Sequence, residues 1–226
     1  MKQKSLTVVS GILGAAVFYV IYAAICGFIP SDTSQSAILL RALAEMCAAF
    51  GGICTLMLMG KSLVPTDSEG EFADEPSVCT EEKQNKTKSI VRGAVSAVIC
   101  AAILFGGNLL YSRYVYGNEN APEISLPVAI AVIGILVPIS EEIFFRGCLS
   151  AYMTDRGVSR TAVIITSAAS FALIHDVKVM PFAFFAGVCL GFCSVSAGKR
   201  GYIISFAAHS LYNTTLCVVK CIMQNA

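Results

Sequence analysis

The chain has 226 residues, 56% of them hydrophobic and only 14% charged, with a net charge of +1 and a mean hydropathy of +0.72. That balance lies far from the soluble globular range and leaves no room for a separate soluble domain. The 16 basic residues are spread between apolar runs without interleaved aromatics, which also excludes a nucleic-acid-binding surface.

Apolar runs of about 20 residues, long enough at ~1.5 Å per residue to cross a ~30 Å hydrocarbon core, recur along nearly the whole chain. They predict an all-α fold, a polytopic transmembrane helix bundle of about seven spans. The first run, 6–29, exceeds the ~7–15 residues of a signal-peptide core and reads as an uncleaved helix. The second, 37–59, carries Arg41 and Glu45 one turn apart, a spacing that predicts an ion pair near a helix end, with a role in a site as the alternative. Residues 1–60 thus form a pair of N-terminal helices. Residues 61–89, rich in Thr, Asp, Ser, Glu, Lys and Gln, cannot bury enough apolar area to fold alone and read as a solvated cytoplasmic linker.

Residues 90–226 hold the remaining five helices. The third runs over 90–110, and a polar turn at 117–122 leads into the fourth at 126–151. The fifth covers 158–174 and ends in His175-Asp176, Pro181 opens the sixth, and the seventh covers 202–223. The spacing Gly187-x-x-x-Gly191 in the sixth offers a small-residue face for close helix contact. The ten cysteines sit almost entirely in apolar runs, with Cys189/Cys193 and Cys217/Cys221 at helical spacing and no Cys-x-x-Cys pair. They read as small core residues.

The basic residues set an orientation. Seven spans put Lys2, Lys4, Lys61, Lys83, Lys86, Lys88, Arg92, Arg146, Arg156, Arg160, Lys199 and Arg200 on one side and Arg41, Arg113, Lys178 and Lys220 on the other. The positive-inside rule then places the N-terminus and the linker in the cytoplasm and the C-terminus outside a cell membrane.

The fourth helix carries Glu141 and Glu142 side by side within an apolar segment. An ionisable group at that depth costs roughly 2.5–3.5 kcal/mol on insertion scales, so it marks a functional site by default. The chain's two histidines, His175 and His209, also lie in apolar segments, and so does Asn213. Unshared, each would need its own partner in lipid, which argues for one common polar site. Glu142 and Arg146 are i,i+4 and predicted to pair, leaving Glu141, turned about 100° around the helix, to face the bundle interior. His209 and Asn213 share a face of the seventh helix, and Phe171 sits one turn before His175, placed to pack against its imidazole.

Glu141-Glu142-x-x-x-Arg146, then Phe171-x-x-x-His175, then His209-x-x-x-Asn213, in this order on successive segments, resembles the CPBP family of intramembrane endopeptidases. That family includes the type II (Rce1-like) CAAX prenyl proteases and bacterial Abi proteins. The likeness covers about 126–219, corresponding to the family's four-helix catalytic core. It implies hydrolysis of a peptide bond in a membrane-associated, lipophilic or prenylated peptide. It also implies roles: Glu141 activating water with His175, His209 and Asn213 stabilising the oxyanion, and Glu142, Arg146 and Phe171 as supporting residues.

Two cofactor readings stand. Glu141, His175 and His209 form a ligand set that Zn2+ accepts, with water in the open position. Against it, the helical His-Glu-x-x-His signature is absent, so water activated by glutamate alone, with no cofactor, is the other reading. The expected partners are the lipid bilayer and a peptide or lipidated peptide. The competing functions are a non-catalytic membrane scaffold of the same fold and a proton-coupled transporter, though the internal repeat common in carriers is missing. A depth mismatch remains: if the fifth helix begins at the cytoplasmic face, His175 lies ~25 Å away, nearer the outer side than His209.

Overall fold

A computed structural model describes residues 2–30, 34–63, 81–115, 124–197 and 201–224. They form seven helices: α1 (Lys2–Cys26), α2 (Gln35–Leu63), α3 (Glu81–Val115), α4 (Leu126–Thr154), α5 (Arg160–Leu173), α6 (Met180–Ser196) and α7 (Gly201–Gln224). Among the described residues there is no strand. Of the polar linker, residues 64–80 lie outside the described set, while 61–63 extend α2 and 81–89 form the first turns of α3.

Five helices, α1, α2, α3, α4 and α7, are long and apolar enough to cross a membrane. Their outward faces carry large apolar side chains such as Val20, Phe50, Leu58 and Leu110, each more than 60% exposed, as a lipid-facing surface requires. The chain is a multi-pass membrane protein. α5 and α6 are shorter, at 14 and 17 residues. At ~1.5 Å per residue, α5 rises only about 21 Å, so it need not start at a membrane surface.

α1 packs along α2, α3 along α7 and α6, and α5 along α6, with α4 in the middle. Two apolar clusters result. One joins Phe18 of α1, Ala48 and Leu56 of α2, Phe144, Phe145 and Leu149 of α4, and Phe171 of α5. The other joins Leu104 of α3, Leu190 of α6, and Ala208 and Tyr212 of α7.

The α4–α5 turn is a Schellman closure. Gly157 takes φ 72°, a conformation costly for residues with a Cβ. The Val158 amide reaches back to the Met153 carbonyl and the Gly157 amide to Thr154. Ser159 then caps α5, accepting from the Ala162 amide.

Helix α4 is irregular in two places, with π-helical turns at Ile130–Leu136 and Ile143–Leu149 flanking the α-helical Val137–Glu142. Pro138 accounts for the first break. It has no N–H, so the carbonyls one turn back, Gly134 in α register and Ile133 in π register, lose their donor. In lipid such carbonyls must be satisfied by a neighbour, and α7 supplies both donors. Ser210 Oγ donates to Gly134 O at 2.6 Å and Asn213 Nδ2 to Ile133 O at 3.0 Å. Gly134 also permits the approach, because a Cβ there would lie 2.6 Å from Thr214 Oγ1.

Candidate active site

The two carboxylates of α4 are buried and have separate surroundings. Glu142 Oε1 accepts from Arg146 Nη1 at 2.9 Å, and His209 Nδ1 lies 3.0 Å from the same oxygen. Arg146 is itself buried. Its Nη2 donates to the Gly187 carbonyl of α6 at 3.1 Å, and its guanidinium lies 4.6 Å from the centre of the Phe171 ring. A Cβ at Gly187 would sit 2.9 Å from the Ala168 backbone, so the Gly187-x-x-x-Gly191 face lets α6 close on α5 while offering Arg146 a carbonyl. Burying a guanidinium requires such partners, since an unpaired charge in low dielectric is prohibitive.

Glu141 faces the other way. His209 Nε2 lies 3.6 Å from its Oε2 and His175 Nε2 lies 3.9 Å from its Oε1. His175 follows the end of α5 and is held by Phe171 twice, through Nδ1 to the Phe171 carbonyl at 2.9 Å and through ring packing at 4.7 Å. The Phe171 ring also meets His209 edge-on at 5.9 Å, so one aromatic side chain seats both imidazoles and the guanidinium. The depth mismatch expected for His175 and His209 is therefore absent. Both reach one carboxylate, because the short α5 closes at Leu173 below full membrane thickness and leaves His175 on the α5–α6 connection.

The hydrogen bonds fix the tautomers. A backbone carbonyl and a carboxylate oxygen only accept, so both histidines carry their proton on Nδ1 and present an Nε2 lone pair toward Glu141 when neutral. The His175 side chain is 27% exposed, against 4% for Glu141 and 7% for His209, so the site opens on the His175 side. Zn2+ suits these donors in type, and imidazoles anchored at Nδ1 are common in metal sites. The separations of 3.6 and 3.9 Å are somewhat longer than the edge of about 3.3 Å of an ideal Zn2+ tetrahedron. Among the described residues, no three His, Cys, Asp or Glu side chains gather closely enough to hold a metal.

Asn213 is not part of this cluster through the bond it makes. One of its amide N–H groups is engaged by Ile133 O, and the amide has a second. The structure also adds two residues that sequence reasoning did not place. Ser140, next to Glu141, meets Glu45 of α2, with Ser140 Oγ 2.8 Å from Glu45 Oε1. This overturns the expected Arg41–Glu45 pairing: Arg41 donates instead to the Pro30 carbonyl at 2.8 Å. Helix α2 approaches α4 through Ala48, Ala49 and Gly52, and burial of that face takes Glu45 with it. A lone acid amid small residues was the available signal. Ser210 is the second, legible only as a hydroxyl opposite a mid-helix proline.

An all-helical, multi-pass membrane bundle with a buried carboxylate flanked by two imidazoles defines the class. No curated protein and no solved structure matches the chain. A family model does: residues 123–215, roughly two fifths of the chain, match the type II CAAX prenyl endopeptidase Rce1-like family. Over that segment the chain is similar to the Rce1-like family, a likeness that supports a CAAX-type intramembrane protease in general. The matched segment covers α4 to α6 and most of α7, and with them both carboxylates and both histidines.

Proposed function

We propose that this protein is an intramembrane endopeptidase in which Glu141 activates water to hydrolyse a peptide bond of a membrane-associated or lipidated peptide. One observation carries the reading: two histidines from different elements converge on Glu141, while Arg146 occupies the adjacent Glu142. A base must be free to take a proton, and of the two carboxylates Glu141 is the one without an ion pair to a permanent cation.

Water held between Glu141 and His175 loses a proton to Glu141 as its oxygen adds to the scissile carbonyl carbon. The resulting oxyanion needs donors. His209 provides one in its imidazolium form, with Nε2–H directed at the oxyanion and Nδ1–H on Glu142, whose carboxylate stabilises the charged ring much as the aspartate does in a serine-protease triad. The second N–H of Asn213 provides the other. A single donor of this kind is worth about 3–4 kcal/mol in the transition state. Collapse of the tetrahedral intermediate breaks the C–N bond, and Glu141 returns its proton to the leaving amine. No step in this reading uses a metal. The N-terminus is cytoplasmic and the C-terminus external. This orientation holds whether α5 and α6 cross fully or form a shallow hairpin, because both cases return the chain to the same side.

With a membrane-anchored reporter peptide, Glu141→Gln and His209→Ala each lower cleavage by at least ~10²–10³-fold while the protein stays folded and inserted. Cleavage retained by either variant refutes the assignment, and a cellular phenotype insensitive to both assigns the scaffold reading instead. Extensive chelation leaves the activity unchanged. Stoichiometric zinc whose removal abolishes cleavage overturns the metal-free mechanism.

A further inference from the structure

Glu45 lies in α2, outside the segment that matches the family model, yet it reaches the residue next to the proposed base. It and Arg41 are the two charged residues of the span Gln35–Met59, and its side chain is buried at 7% residue exposure. Ser140 Oγ lies 2.8 Å from Glu45 Oε1 and also 2.8 Å from the Val137 carbonyl. A hydroxyl has one hydrogen. Either it forks between the two oxygens, or Glu45 as the neutral acid donates to Ser140 while Ser140 donates to Val137. Both arrangements clamp Ser140 between α2 and its own helix.

The clamp sits where α4 is least able to hold itself. Val137–Glu142 is a short α-helical turn between two π-helical stretches, and Pro138 removes a rung from its hydrogen-bond ladder. A slip of register there would rotate Glu141 away from His175 and His209. Glu142 is held by Arg146 and His209, whereas the corresponding tie on the Glu141 side is the one made by Ser140.

We propose that Glu45 is a positioning residue that acts through Ser140 to hold Glu141 in register with the two histidines, so that the N-terminal helix pair forms part of the working enzyme. The inference rests on the proposed catalytic role of Glu141. Its test uses the full chain in proteoliposomes with a membrane-anchored reporter peptide. Glu45→Ala and Ser140→Ala each lower kcat by about tenfold or more, with KM changed less than about twofold, since small displacements of a catalytic group are costly. The double variant is no worse than either single one, because both remove the same contact. Glu45→Gln, whose amide can still pair with Ser140, stays within about threefold of the parent. Additive losses, a rise in KM alone, or equal losses in Glu45→Gln and Glu45→Ala overturn the proposal.

A second readout does not need catalysis. Dicyclohexylcarbodiimide labels buried carboxyl groups, and mass spectrometry of the Glu141 peptide gives the rate. Loss of the clamp in Glu45→Ala or Ser140→Ala changes that rate several-fold, whereas Glu45→Gln does not; an unchanged rate overturns the clamp. A parent chain that cleaves no reporter but shows the labelling change defeats the peptidase reading and leaves the clamp standing.

Discussion

Replacing Arg146 with alanine removes the cation that holds Glu142, and the structure sets the size of the effect. The guanidinium bonds Glu142 Oε1 at 2.9 Å and Gly187 O at 3.1 Å, and it stacks 4.6 Å from the Phe171 ring centre. Both partners of the ion pair have side chains at most 1% exposed, so water cannot take the place of the lost contacts. Breaking a buried pair from one side costs about 3–5 kcal/mol, chiefly because the remaining charge is stranded. For a chain of this size each kcal/mol shifts Tm by about 2–4 °C, so Arg146→Ala should unfold ~6–20 °C below the parent. The assay is thermal unfolding of detergent-purified protein, followed by a thiol-reactive dye, since most of the described cysteines are at least partly buried. Arg146→Leu with Glu142→Leu should be less destabilised than Arg146→Leu alone, because no charge is then left stranded. A Tm within 1–2 °C of the parent for Arg146→Ala, or a double variant worse than the single one, refutes this account of α4.

Two further predictions concern packing of the same helix. Asn213→Ala and Ser210→Ala each leave a carbonyl of the first π-helical turn without its donor and cost about 1–3 kcal/mol. Pro138→Ala, which restores a backbone N–H to that turn, should reduce the penalty of either one; equal penalties in both backgrounds would contradict the role given to α7. Gly187→Ala places a methyl 2.9 Å from the Ala168 backbone. It should cost about 1–3 kcal/mol by thermal unfolding and lower cleavage as well, because the displaced α6 takes the Gly187 carbonyl away from Arg146.

The site was legible from spacing wherever a single helix decides the outcome. Glu142 with Arg146, and Phe171 with His175, are one turn apart, and 3.6 residues per turn places each pair within reach on one face. A common site for the deep polar groups was expected from cost, since polar groups in lipid need one another, and the Glu142–Arg146 spacing left Glu141 as the carboxylate turned toward it. Asn213 shows the limit of that reasoning. Its i,i+4 relation to His209 is real, but its bond goes to Ile133, 80 residues earlier, because of a missing donor in α4. The Arg41–Glu45 expectation failed for a similar reason. The spacing was right, and the face of α2 that packs on α4 carried Glu45 toward Ser140.

The sequence by itself determined that this is a membrane-embedded helical bundle and which residues are too costly in lipid to lack a purpose, although of the seven helices it predicted as spans only five are, among the described residues, long and apolar enough to cross. Those conclusions follow from hydropathy, length and one-turn spacing, all local properties of the chain. Only the tertiary structure decided how the short α5 brings His175 level with His209, why α7 donates to the broken ladder of α4, and that α2 reaches the site through Glu45. These depend on which helix faces lie against each other, and that is set by contacts between residues far apart in the chain, such as Glu45 with Ser140, 95 positions apart.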